Sequence, residues 1–83
     1  MTGTSKERLG VWIVEALQDY GGSAALVDVC RHVWEHHEAD LVASGDLFFT
    51  WNYDIRWAAT QLRTSGTMRA AAKSPRGVWE LKP

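Results

Sequence analysis

A single cysteine, Cys30, is all that the 83 residues contain, which excludes an internal disulfide and fits a reducing compartment. No stretch approaches the length that crosses a bilayer, and the amino end, MTGTSKERLG, has no apolar signal core. A cytoplasmic setting with no membrane contact is therefore expected. No repeat, linker or low-complexity segment divides the chain, so residues 1–83 are expected to form a single domain with a modest core. A Gly-rich phosphate loop and a Ser-His-Asp arrangement are both missing. The carboxylates scatter along helix surfaces instead of sharing one face with a lysine, as nuclease chemistry needs. These absences point to a binding chain without catalysis or cofactor.

What is present is an ordinary globular composition, 46 % hydrophobic and 23 % charged, with a very uneven distribution of charge. Residues 1–54 carry three basic side chains (Lys6, Arg8, Arg31) against nine acidic ones, a net of −6. Residues 55–83 carry six basic side chains (Arg56, Arg63, Arg69, Lys73, Arg76, Lys82) against Glu80, a net of +5. Phosphate contacts are made by one face and not by an average, so the basic third outweighs the near-neutral total. The five tryptophans are too many to leave in water, and several must be buried.

Ser5 reads as an N-cap, and Leu9, Trp12, Ile13, Ala16, Leu17 and Tyr20 then form one apolar stripe of a first helix. Gly21-Gly22 stops it. Ser23 to Leu26 is a connector or a small strand. A second helix is expected from Val27 to about Ala39, with Leu26, Val29, Cys30, Val33, Trp34, His37 and Leu41 inside. Asp28, Arg31, His32, Glu35, His36 and Glu38 are expected outside. Ser44-Gly45-Asp46 breaks the pattern, with Leu47-Phe48-Phe49 as a lead-in. A third helix runs from Thr50 or Trp51 to Ser65, with Trp51, Ile55, Ala58, Ala59 and Leu62 inward and Gly66 at its end. Beyond it, Met68–Ala72 and Val78–Leu81 read as two strands of a hairpin whose tip, Lys73 to Gly77, carries turn chemistry.

This order predicts an α+β winged helix-turn-helix: three helices, a C-terminal β-hairpin wing and a short third strand near residue 23. In that architecture the third helix enters the major groove of duplex DNA and the wing lies on the backbone or in the minor groove. The expected DNA-binding residues are Asn52, Tyr53, Arg56, Thr60, Arg63, Lys73 and Arg76. Guanidinium groups suit bidentate phosphate or guanine contacts. Two large aromatics, Tyr53 and Trp57, stand one turn apart on the outer face of the third helix. They either pack against the lead-in or the wing, or join Phe49 and Trp51 as a pocket for a modified base, with N6-methyladenine the candidate.

Gly21-Gly22-Ser23-Ala24, the run Trp51-Asn52-Tyr53-Asp54-Ile55-Arg56-Trp57-Ala58, Leu62-Arg63 with Gly66, and Pro75-Arg76-Gly77-Val78-Trp79 carry a resemblance that spans about Leu9 to Leu81. The chain resembles the amino-terminal winged-helix domain of Mrr-type restriction proteins. It is also similar to winged-helix modules of methyladenine-dependent restriction endonucleases. The resemblance implies a target-recognition module for double-stranded DNA, methylated DNA included, working with a nuclease joined to it or encoded beside it. The matched positions are Trp51, Arg56, Trp57, Arg76 and Gly77; the chain departs from the pattern at Thr67 and in its acidic first half.

His32 and His36 lie one turn apart, but no further ligand is evident and an H-E-x-x-H order is missing, so no metal site is expected. Cys30 reads as a small core residue. Val11 and Val14 fall on the outer side of the first helix, where a partner domain would meet them. Two alternative functions keep the same fold: a protein-interaction winged helix, and a small dimeric transcriptional repressor.

Overall fold

Helix α1 (Arg8–Asp19) forms because its apolar side chains recur every three to four residues: Leu9, Trp12, Ile13, Ala16 and Leu17 are all buried. The computed structural model describes residues 6–82, so the cap expected at Ser5 lies outside the described residues. Glu7 holds the N-cap position without a side-chain hydrogen bond. At the other end Gly21 and Gly22 adopt φ of +80° and +105°. Gly21 N–H then donates to Gln18 O (3.1 Å) and Gly22 N–H to Leu17 O (2.6 Å), a Schellman closure of the last turn. Tyr20 is a correction. It was expected on the inner stripe, but it sits past the last helical residue and is exposed, its hydroxyl donating to Asp28 O.

Strand β1 (Ser23–Ala25) leads directly into α2 (Leu26–Val42), which is longer than expected and breaks at His37 (φ −132°, ψ 22°). Val29, Val33 and Leu41 are buried as expected. His32 was expected outside and is buried instead, because α1 covers that side of α2 and supplies a partner for the ring, Asp19.

Helix α3 (Leu47–Thr64) starts three to four residues before the expected Thr50 or Trp51. Leu47 is buried and continues the stripe of Trp51, Ile55, Ala58, Ala59 and Leu62 by one more turn. The residues read as a lead-in are its first turn. Its end repeats the closure of α1, with Gly66 at φ +85° and Thr67 N–H donating to Leu62 O at 2.9 Å.

The last segment differs most from expectation. Strand β2 (Val78–Glu80) pairs antiparallel with β1, in the register Ser23↔Glu80, Ala24↔Trp79 and Ala25↔Val78. The strand expected over Met68–Ala72 is reduced to a bridge between Met68 and Leu81, supported by Arg69 N–H to Glu80 O (2.9 Å) and Lys82 N–H to Thr67 O (2.9 Å). A 3₁₀ turn, Ala71–Lys73, follows. Three successive alanines at 70–72 offer no branched or aromatic surface for cross-strand pairs, so the ladder stops where Met68 stops. The result, among the described residues, is an α+β fold: three helices and a two-stranded antiparallel sheet. Met68 and Trp79 join the helical core from the sheet side. No helix among the described residues is long and apolar enough to cross a membrane.

Candidate nucleic-acid interface

Helical spacing sorts the outer residues of α3 into three strips. Asn52, Arg56 and Arg63 run along the flank beside the C-terminal segment. Phe49, Tyr53 and Thr60 form the crest, and Trp57 turns toward α1. Phe49 and Tyr53 are 79 % and 77 % exposed. Thr60 Oγ1 donates back to Arg56 O at 3.1 Å, which leaves its methyl group and the oxygen lone pairs outward.

The Arg56 flank faces two recesses. One is lined by Leu26, Cys30, Trp51, Asn52, Arg56 and Gly77. Burial pushes the Cys30 thiol above its ordinary pKa, and the Arg56 guanidinium offsets part of that rise. The second recess lies between α3 and the tip of the C-terminal segment, with Arg56, Arg63 and Arg76 around Ser74, Pro75 and Gly77. The tip is held by Val78 N–H to Pro75 O (3.1 Å), with Gly77 at φ +76° as the turn requires. Ser74 Oγ also donates to Glu80 Oε1 at 2.7 Å. That contact occupies the one carboxylate of the basic third at the base of the tip.

Arg63 connects this recess to a third cleft, where Arg69, Lys73 and Lys82 surround Gly66, Met68 and Ala70. The Arg63 guanidinium stands over the Trp79 ring at 6.0 Å, and its Nε is buried with no hydrogen-bond partner among the described residues. Neither of these last two recesses has an acidic side chain in its lining. None of the six cations in residues 55–83 has an ion-pair partner among the described residues. Arg69 and Lys82 complete the cationic surface although they were not among the expected DNA-binding residues. Their signal was charge alone.

The four rings expected around a modified base do not converge. Trp51 stacks on Trp34 of α2 (centroids 6.2 Å apart, planes 10° apart), and Phe49 meets Phe48 edge-on at 5.0 Å. Trp57 packs against neither the lead-in nor the tip. It lies over a groove with Val11, Val14 and Leu62, its ring under the Lys6 ammonium at 4.5 Å. The physical reason is the 40° advance per turn of an i, i+4 row, which carries Phe49, Tyr53 and Trp57 progressively around α3 toward α1. Of the four, Phe49 and Tyr53 remain side by side and open.

Comparison of the chain with protein-family models, with curated proteins and with solved structures finds no match.

Proposed function

We propose that the chain is a winged helix-turn-helix module that binds double-stranded DNA, with α3 in the major groove and the 73–77 tip on the backbone. The observation that carries this is the coincidence of two things on one side of the molecule. Six cations without an ion-pair partner among the described residues lie on and beside the outer face of α3, and the two recesses that Arg63 joins have no carboxylate in their lining. A surface of that kind gains from counterion release on phosphate binding, while the −6 charge of residues 1–54 disfavours docking by the other helices. Asn52, Arg56 and Tyr53 face base edges in this arrangement, and Arg63, Lys73 and Arg76 face phosphates.

On the resemblance to Mrr-type and methyladenine-dependent restriction proteins, the module serves as the target-recognition part of a restriction system and works in the cytoplasm with a nuclease, itself performing no catalysis. A methylated base meets Phe49 and Tyr53 in this reading, and no enclosed cage. The test is amide chemical-shift mapping with a short duplex: shifts should concentrate on residues 52–63 and 69–77. Shifts confined to α1 and α2 overturn it.

A protein-interaction module is the second reading. The groove of Val11, Val14, Trp57 and Leu62 between α1 and α3 favours it, since exposed and half-buried apolar side chains brought together in a recess suit a protein partner.

A further inference from the structure

The acidic half of the chain contains a group that the nucleic-acid reading does not use. Asp19 ends α1, and its Oδ2 lies 2.7 Å from Nε2 of His32 on α2. His36 follows His32 by one turn, and the two rings lie 3.9 Å apart. One ligand atom from each of the three residues falls within 4.8 Å of the others. We propose that Asp19, His32 and His36 bind one transition-metal ion, Zn²⁺ in preference to Mg²⁺ or Ca²⁺, and so fasten the end of α1 to α2.

The hydrogen bonds already prepare the donors. His36 Nδ1 lies 2.9 Å from the His32 carbonyl oxygen. A carbonyl only accepts, so Nδ1 carries the proton and the neutral ring keeps its lone pair on Nε2, the arrangement by which a second-shell carbonyl orients a metal-bound imidazole. The same logic puts a proton on His32 Nε2, opposite the Asp19 carboxylate; binding the ion at that nitrogen requires the neutral ring to carry its proton on Nδ1 instead. His32 is nine-tenths buried, and among the described residues its Nδ1 has no hydrogen-bond partner and its ring nitrogens meet Asp19 alone.

Tetrahedral coordination at about 2.0–2.1 Å places ligand atoms roughly 3.3 Å apart. The Asp19–His32 contact must open slightly and His36 must close in, giving up its stacking on His32. Asp19 and His36 are exposed, so these adjustments displace no core side chain, while His32 is buried. Two imidazoles and one carboxylate leave a position for water and favour Zn²⁺ over the hard cations, which prefer all-oxygen sites. Sequence spacing gave only the histidine pair; the fold adds the third ligand from another helix. His37 stays outside the group, with its Nε2 3.0 Å from Glu15 Oε1 and its ring stacked on Trp12.

The test uses the full chain stripped with a chelator, titrated with ZnCl₂ or MgCl₂, and followed by calorimetry and thermal melting. One equivalent of Zn²⁺ and a rise in Tm of roughly 10–20 °C at a hundredfold excess over Kd are expected, with no response to Mg²⁺. His36→Gln and Asp19→Asn should each weaken Zn²⁺ binding at least tenfold, while their metal-free circular dichroism matches the parent. No stoichiometric binding overturns the proposal. So does binding that survives Asp19→Asn undiminished, which reduces the site to two histidines on one helix. Binding unchanged by His36→Gln assigns the ion to other donors and is equally fatal. None of these outcomes depends on whether the chain binds DNA.

Discussion

The Arg63 guanidinium stands 6.0 Å above the Trp79 ring, tying the C-terminal half of α3 to strand β2. This contact aligns the helix with the tip and leaves the charge beside two cationic recesses. Arg63→Ala should lower folding stability by about 1 kcal/mol, within the range of a partly desolvated cation–π pair, and also weaken duplex binding. Arg63→Lys should recover more of the binding than of the stability, because an ammonium keeps the charge but loses the planar stack. Chemical denaturation alongside anisotropy titration separates the two effects.

Tyr53 and Trp57 are one turn apart, yet they face different surroundings. Tyr53→Ala should weaken duplex binding several-fold and leave stability within about 0.5 kcal/mol, as for other exposed sites. Trp57→Ala should leave DNA binding almost unchanged, since that ring faces α1. Matched duplexes with and without N6-methyladenine should differ by less than tenfold in affinity, because two open rings cover less of a methyl group than an enclosing pocket. A hundredfold preference contradicts this arrangement.

Cys30 offers a reporter for the recess beside Arg56. Its thiol pKa is raised by burial, so the reactive thiolate is scarcer at neutral pH than for a free cysteine. Alkylation at pH 7.5 should be slower than for a small thiol and should rise at higher pH than for that thiol. Saturating duplex should slow it further by covering the recess. The same shift has a stability consequence. Folding favours the protonated thiol, so this contribution is complete below the unfolded thiol pKa and is lost as pH climbs through the higher folded value.

Leu47 tests where α3 begins. As a buried first-turn residue it should cost about 2–3 kcal/mol when replaced by Ala, toward the lower end for buried leucines because a helix end relaxes more easily. A cost near zero restores the expected lead-in and a helix starting at residue 50.

The long stripes were readable from the sequence because each repeats over three or more turns: the inner residues of α1 and α3 are where periodicity puts them. Leu47 stands four residues before Trp51 on the same stripe, so the turn chemistry of Ser44-Gly45-Asp46 ends sooner than the break in the pattern suggests. The strand at 68–72 failed for a different reason. A hairpin pattern says nothing about whether three alanines can hold a ladder. His32 and Tyr20 exchanged expected environments because one helix alone does not reveal which side its neighbour covers. Within the candidate interface, charge and spacing located Asn52, Arg56 and Arg63. The placement of Trp51 and Trp57 depended on α2 and α1, which a single-helix projection leaves out.

The central claim is that the cations of α3 and the tip contact DNA phosphates. It is tested most directly by the salt dependence of duplex affinity for the parent chain, Arg56→Ala and Arg76→Ala. Log affinity should fall linearly with log salt for the parent. Arg76→Ala should reduce the slope by about one and weaken all duplexes alike, while Arg56→Ala should weaken a preferred sequence more than others. Absence of duplex binding even at ~50 mM salt, or slopes and affinities unchanged in both variants, contradicts the claim.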